Sequence, residues 1–213
     1  MANKILQIIK VDAQLMEEVK SSFNDLPETD HDDGHYRLRK YLRVTMKKEH
    51  LNNYLIKPLD DTTFKQSKKY NTHQGGKVRK FKPIDSKVIK SNAMYELLRA
   101  FYDACELDSG VIIDIHQIRV LCQGGATQMA PEGWHQDGYN CVTIIGIERC
   151  NIIGGELMAS DGKTNPPFME ASLDSGTMLI VNDDYLWHNA RTIQPIDDNK
   201  PAYFDSFIFT AKQ

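Results

Sequence analysis

Apolar positions along the chain change period near residue 110. In the first half, Leu6, Ile9, Leu15, Met16, Val19 and Phe23 recur mainly every three or four residues, which predicts a short strand or turn followed by an amphipathic helix. Residues 24–34, built around Pro27, read as a polar connection in solvent. Residues 36–44 alternate large apolar with basic side chains, the pattern of a half-buried strand whose arginines and lysine form a solvated face. Gly75 and Gly76 predict a sharp turn before a strand at 77–81. Ser91 or Asn92 can cap a helix whose apolar face holds Met94, Leu97, Leu98, Phe101 and Tyr102 and which ends near residues 108–110.

Beyond that point the period shortens. Segments 111–120, 141–147, 177–181 and 203–209 are rich in β-branched and aromatic residues, and pairs such as Gly124-Gly125, Gly154-Gly155 and Asp161-Gly162 separate the strand-like stretches. The economical fold is mixed and mainly β: a helix-rich N-terminal part, residues 1–110, covering an antiparallel barrel or sandwich at 111–213, the whole forming one domain.

Composition narrows the function. Twenty-six basic against twenty-nine acidic residues give a formal charge of -3, so no global positive field favours nucleic acid, and small-molecule chemistry is the default. The short apolar run from Ile5 to Ile9 is broken by Lys10 and Asp12, and no apolar run approaches the roughly 18 residues of a membrane span, so neither a secretion signal nor a membrane partner is expected. Cys105, Cys122, Cys141 and Cys150 lack paired spacing, which fits free thiols in a cytoplasmic protein. Nothing in the sequence excludes a homo-oligomer.

The candidate chemistry sits in Trp134-His135-Gln136-Asp137-Gly138 and in Tyr185-Leu186-Trp187-His188. Two imidazoles and one carboxylate are the ligand set of a facial-triad iron site, which leaves coordination positions for substrate and oxygen. His135 and Asp137 are two apart, so on a strand both side groups leave one face, and the 51 residues from Asp137 to His188 allow several strands to carry the backbone away and back. Each ligand alone has an ordinary structural reading: a turn aspartate, an edge histidine, a histidine in an aromatic pocket. Trp134, Tyr139 and Trp187 can be pocket walls or rim packing. Glu132 can orient an ammonium or sit in an exposed turn, and His116 reads as a neighbour of the site rather than a fourth ligand.

The sequence resembles the bacterial 2-oxoglutarate- and Fe(II)-dependent dioxygenase family that includes L-isoleucine hydroxylases of free amino acids. The resemblance rests on Phe64-Lys65-Gln66-Ser67 with Tyr70-Asn71, Gly75-Gly76-Lys77-Val78-Arg79, His116-Gln117-Ile118-Arg119, the stretch from Pro131 to Gly138, Asn151-Ile152-Ile153-Gly154-Gly155-Glu156, and Trp187-His188. It implies a double-stranded β-helix, a jelly-roll barrel with the metal at its mouth. It also implies Fe(II) held by His135, Asp137 and His188, 2-oxoglutarate as cosubstrate, molecular oxygen, and hydroxylation of a small metabolite such as a free L-amino acid. Family members carry an arginine before an aspartate in the final strand, where its guanidinium can bind the distal carboxylate of 2-oxoglutarate. This protein has Phe204-Asp205 there, so Arg191 or Arg119 is expected to approach the carboxylate instead. Two other functions remain open at this level: a cupin-like metal-dependent isomerase or hydrolase, and a metabolite-binding protein without turnover.

Overall fold

The computed structural model describes residues 5–50, 53–71 and 74–212. In its N-terminal part, β1 (Leu6–Lys10) leads into α1 (Ala13–Lys20) and a 3-10 turn, Ser21–Asp25. Then follow β2 (Arg37–Lys48), β3 (Tyr54–Leu59), the two-residue strands β4 (Thr63–Phe64), β5 (Arg79–Lys80) and β6 (Lys82–Pro83), and the helices α2 (Ser86–Ile89) and α3 (Asn92–Ala104). The second half is all strand: β7 (Val111–Leu121), β8 (Cys141–Cys150), β9 (Ile152–Gly154), β10 (Leu157–Ser160), β11 (Met169–Ala171), β12 (Thr177–Asn182), β13 (Trp187–Ala190), β14 (Ile193–Pro195) and β15 (Tyr203–Ala211).

An eight-stranded sheet in the order β1-β12-β8-β15-β7-β2-β3, with β6 beside β2, forms one layer. Facing it are the smaller sheets β11-β10-β13 and β14-β9. This is the double-stranded β-helix with helices packed outside it. The N-terminal part is less purely helical than its sequence suggests, because β2 pairs along β7 from Arg37↔Val120 to Met46↔Val111 and so extends the barrel sheet.

Strand alternation creates two cores from one sheet. On β15, Phe207, Phe209 and Ala211 turn outward to the helices, while Phe204 turns inward with Ile118 and Val120 of β7. On β12, Met178 and Ile180 face the helices, and Leu179 and Val181 face the barrel interior. The period of two makes this division unavoidable for a strand buried on both faces. Helix α3 seals the outer core with Met94, Leu97, Leu98 and Phe101, none of them exposed. Its N-cap is Ser91, whose hydroxyl accepts from the Met94 N–H. The helix stops at Ala104, short of the expected 108–110, and Glu106 lies at φ 50, left-handed backbone that cannot continue an α-helix. No helix among the described residues is long and apolar enough to cross a membrane.

Candidate metal centre

His135 and His188 face each other across a single antiparallel bridge: the His135 N–H donates to the His188 carbonyl at 3.1 Å, and the His188 N–H donates back at 3.0 Å. Strand β13, which carries His188, is held in turn by β10, so one imidazole sits on a sheet and the other is pinned to it. The expected strand edge is therefore one bridge long. After His135 the backbone leaves the ladder, and something other than strand pairing must aim Asp137.

Asp183 does that. One of its carboxylate oxygens accepts from the backbone N–H groups of Asp137 and Gly138 at 2.7 Å each and of Tyr139 at 3.3 Å, drawing the loop into a tight arc. Gly138 completes the arc at φ +84, where an added Cβ would also meet the Tyr70 ring at 2.5 Å. The Gln66 amide then donates to Asp137 Oδ1 at 2.7 Å.

The result is a compact donor set. His135 Nε2 lies 3.8 Å and His188 Nε2 3.4 Å from oxygens of Asp137, and the three ligand atoms are within 4.8 Å of one another. The outer nitrogens are engaged elsewhere: His135 Nδ1 is 2.7 Å from the Gly133 carbonyl, to which it donates, and His188 Nδ1 is 3.4 Å from Asp183 Oδ1. Each imidazole thus turns Nε2 to the common centre, His135 through a hydrogen bond at its outer nitrogen and His188 through the nearby Asp183 carboxylate, the kind of outer partner that orients metal-bound histidines.

The electrostatics ask for a cation. Burial and the neighbouring His188 lower the His135 imidazole below its usual range. Burial would lower His188 too, but the carboxylates of Asp137 and Asp183 outweigh it and push it up to about 10. Burial would raise Asp137, yet its contact with His188 holds it well below the usual carboxylate range. The half-buried Asp137 and the buried Asp183 carboxylates beside two imidazoles concentrate negative charge at the centre, which a divalent ion would answer. Two imidazole nitrogens and one carboxylate, with no thiolate, suit Fe(II).

A cavity runs from this centre into the barrel. Its inner wall is apolar, with Ile118, Val120, Val142, Ile144, Phe204 and Ile208 among the lining residues. Another part is polar and carries Arg37, Arg39, Arg79, Gln66, Glu132 and His116. The basic residues of β2 are thus not a solvated face: Arg37 and Arg39 line the cavity, and Lys40 is buried against Asp85 at 2.9 Å. Glu132 is no exposed turn carboxylate either, since it lines the cavity with its side chain 12% exposed and lies 3.8 Å from Arg37. Tyr139 lines the cavity, whereas Trp134 and Trp187 do not.

The two arginines expected at the cosubstrate are placed elsewhere. Arg191 makes a two-pronged exposed pair with Glu170 at 2.6 and 2.9 Å, and Arg119 makes a buried one with Asp205 at 2.6 and 2.7 Å while stacking on Tyr203. Neither lines the cavity. Each is drawn away by a carboxylate that sequence spacing does not reveal. Arg39, Arg79 and Gln66, which line the cavity, and Asp183, which aims Asp137, are the residues of the site least visible in sequence. Gln66 and Arg79 at least fall inside family-like segments, and Asp183-Asp184 is an acidic pair just before Trp187-His188.

The sequence matches the 2OG-Fe dioxygenase family over residues 20–210. No curated protein matches it. Among solved structures, a bsmA homolog from Methylobium petroleophilum PM1 is 24% identical with a TM-score of 0.81, the match covering 94% of this protein and 81% of that one. IDO from Bacillus thuringiensis is 15% identical, TM-score 0.76, covering 98% and 90%. The Fe(II)/(alpha)ketoglutarate-dependent dioxygenase TqaL is 12% identical, TM-score 0.73, covering 99% and 83%. Those structural likenesses carry the barrel, and the family match carries the chemistry onto the His135, Asp137 and His188 cluster. With that match extending over most of its length, the protein belongs to the 2OG-Fe dioxygenase family and is an Fe(II)- and 2-oxoglutarate-dependent oxygenase.

Proposed function

We propose that this oxygenase hydroxylates a free L-amino acid. One feature of the cavity carries the reading: charges of both signs share it with the triad. Arg39 is 8% exposed, stacks on Phe81 at 5.4 Å and makes no ion pair with any described residue. Burial and the guanidiniums of Arg37 and Arg79 lower it below the usual arginine range, so an incoming anion relieves a repulsion already present. Arg79 stands beside it over the Phe64 ring at 4.9 Å and donates to the amide oxygens of Gln66 and Gln74 at 3.3 and 3.4 Å, with no ion pair to any described residue. Glu132 supplies the opposite charge, kept below the usual carboxylate range against its burial by Arg37 and His135.

An α-amino acid presents the complementary pair. Its carboxylate suits the two guanidiniums, whose planar donors match carboxylate geometry, and its ammonium suits Glu132. Held at both charges, the substrate has one orientation, and a C–H beyond its α-carbon can be directed at the metal. His135, Asp137 and His188 would hold the iron. Bound Fe(II) and 2-oxoglutarate together supply the means to place one atom of O2 on that carbon as a hydroxyl, with succinate and carbon dioxide as coproducts. Phe64, His116 and Tyr139 form an aromatic wall that keeps bulk water from the reacting carbon.

The experiment is a panel of free amino acids with Fe(II), 2-oxoglutarate and O2, followed by mass spectrometry. A product heavier by one oxygen should accumulate in step with succinate, and methyl esters or N-acetyl derivatives of the same amino acid should react poorly. Equal turnover of the blocked derivatives would overturn the reading.

A further inference from the structure

Phe204 and Arg149 are cross-strand neighbours on β15 and β8, so both residues enter the barrel from one place on the large sheet. The Arg149 guanidinium lies 5.8 Å from the Phe204 ring and donates through Nη2 to the Gly154 carbonyl at 2.5 Å. Its Nη1 is buried and has no hydrogen-bond partner among the described residues. That nitrogen comes within 3.4 Å of where a Cβ on Gly155 would stand, a point also 2.9 Å from Met129 Sδ. Met129 and Phe204 both line the cavity, so Arg149 stands one residue's width behind its inner wall. No carboxylate of a described residue pairs with it, and the adjacent Glu148 is turned to Lys20 at 3.0 Å.

Arg149 is half-buried, but a guanidinium nitrogen closed off from water without an acceptor is costly, and a ligand carboxylate would supply the acceptor and the counter-charge together. 2-Oxoglutarate is a dicarboxylate. With one end at the triad, its other carboxylate enters the barrel, where the wall formed by Ile118, Val120 and Phe204 offers it no cation. Arg39 and Arg79 stand with Glu132 and His116 in the polar part of the cavity, where they serve the substrate. We propose that Arg149 anchors the distal carboxylate of 2-oxoglutarate, reaching it between Met129 and Phe204 from the strand beside position 204. This deepens the oxygenase assignment and rests on it.

Equilibrium binding of 2-oxoglutarate to the Mn(II)-loaded protein, measured by calorimetry without turnover, tests the proposal. R149M should weaken binding roughly 10- to 100-fold, the scale of losing charge-assisted hydrogen bonds to a carboxylate. The double variant R149M/F204R, which returns a guanidinium to the neighbouring strand, should recover most of that loss. Unchanged affinity in R149M overturns the proposal, as does a loss that F204R fails to rescue, which would make Arg149 a merely structural residue. A larger loss in R39M than in R149M also overturns it, by assigning the carboxylate to the polar part of the cavity. Absence of binding to the wild-type protein would instead sink the cosubstrate assignment itself, and Arg149's role with it.

Discussion

Asp183 shows how a single residue shapes a site it does not enter. It is 2% exposed and serves three backbone donors with one oxygen while turning the other toward His188. Asp183→Ala would leave those donors without their acceptor, at a cost of about 1–3 kcal/mol for each that finds no water. It would also release the His188 ring, and losing such an orienting partner typically lowers metal affinity about 10- to 100-fold. Asp183→Asn keeps an acceptor but not the charge, so its stability should lie near wild type while metal affinity still falls. Thermal melts and a chelator competition with Mn(II) check both, and unchanged metal binding in both variants would refute the orienting role. The ligands are legible in sequence because an H-x-D pair and a distant histidine are a chemical signature in themselves. Asp183 is not, because its partners are backbone N–H groups 44 to 46 residues upstream, which no residue type announces. Arg119 and Arg191 mislead for a related reason. Each pairs with a carboxylate far away in sequence, Asp205 and Glu170 respectively, and sequence does not say which one that is.

Strand β2 carries the same lesson at the level of an element. Its alternation identifies a half-buried strand, but the polar face looks into a cavity instead of into water, and period alone cannot separate the two. The long strands β7, β8, β12 and β15 are all legible because each runs six to eleven residues with β-branched or aromatic side groups. Strands β9, β11 and β14 have three residues each, too few to show a period. The inward face of β2 makes a prediction that couples stability with function. Arg39 is buried without an ion pair to any described residue, so Arg39→Met removes a desolvated charge and keeps most of the residue's volume. Its melting temperature should equal or exceed wild type, while the KM for the amino acid should rise about tenfold or more, the scale of one lost charged hydrogen bond. A destabilised variant with an unchanged KM would make Arg39 a structural residue and remove the support for an α-carboxylate.

At the scale of the molecule, the large sheet serves two layers at once, and the segments closing the cavity are tied to it through a network of buried charges. Asp33 is the hub. Residues 24–34 look in sequence like a solvated connection, yet Asp33 is 6% exposed, accepts from Arg37 at 2.6 Å and from the Gln74 amide at 2.8 Å, and so joins this connection to β2 and to the turn preceding β5. Burial would raise its carboxyl, but the guanidiniums of Arg37 and Arg39 and the Gln74 amide outweigh it and hold it well below the usual carboxylate range. The folded protein therefore binds the Asp33 proton more weakly than the unfolded polypeptide does. Its contribution to stability is complete above the unfolded carboxylate pKa, near 4, and is lost progressively as the pH falls from there through the lower folded value. Asp33→Asn should cost about 1.5–3 kcal/mol at neutral pH, the scale of one hydrogen bond between charged groups, because Arg37 keeps the Glu132 carboxylate 3.8 Å away. Below pH of about 4 the wild-type protein starts to lose the same interaction, so the gap between the two should narrow. Urea unfolding of both proteins from neutral to acid pH checks this. Parallel stability curves across that range would mean that Asp33 carries no charge-dependent stabilisation and that the cavity is closed by packing alone.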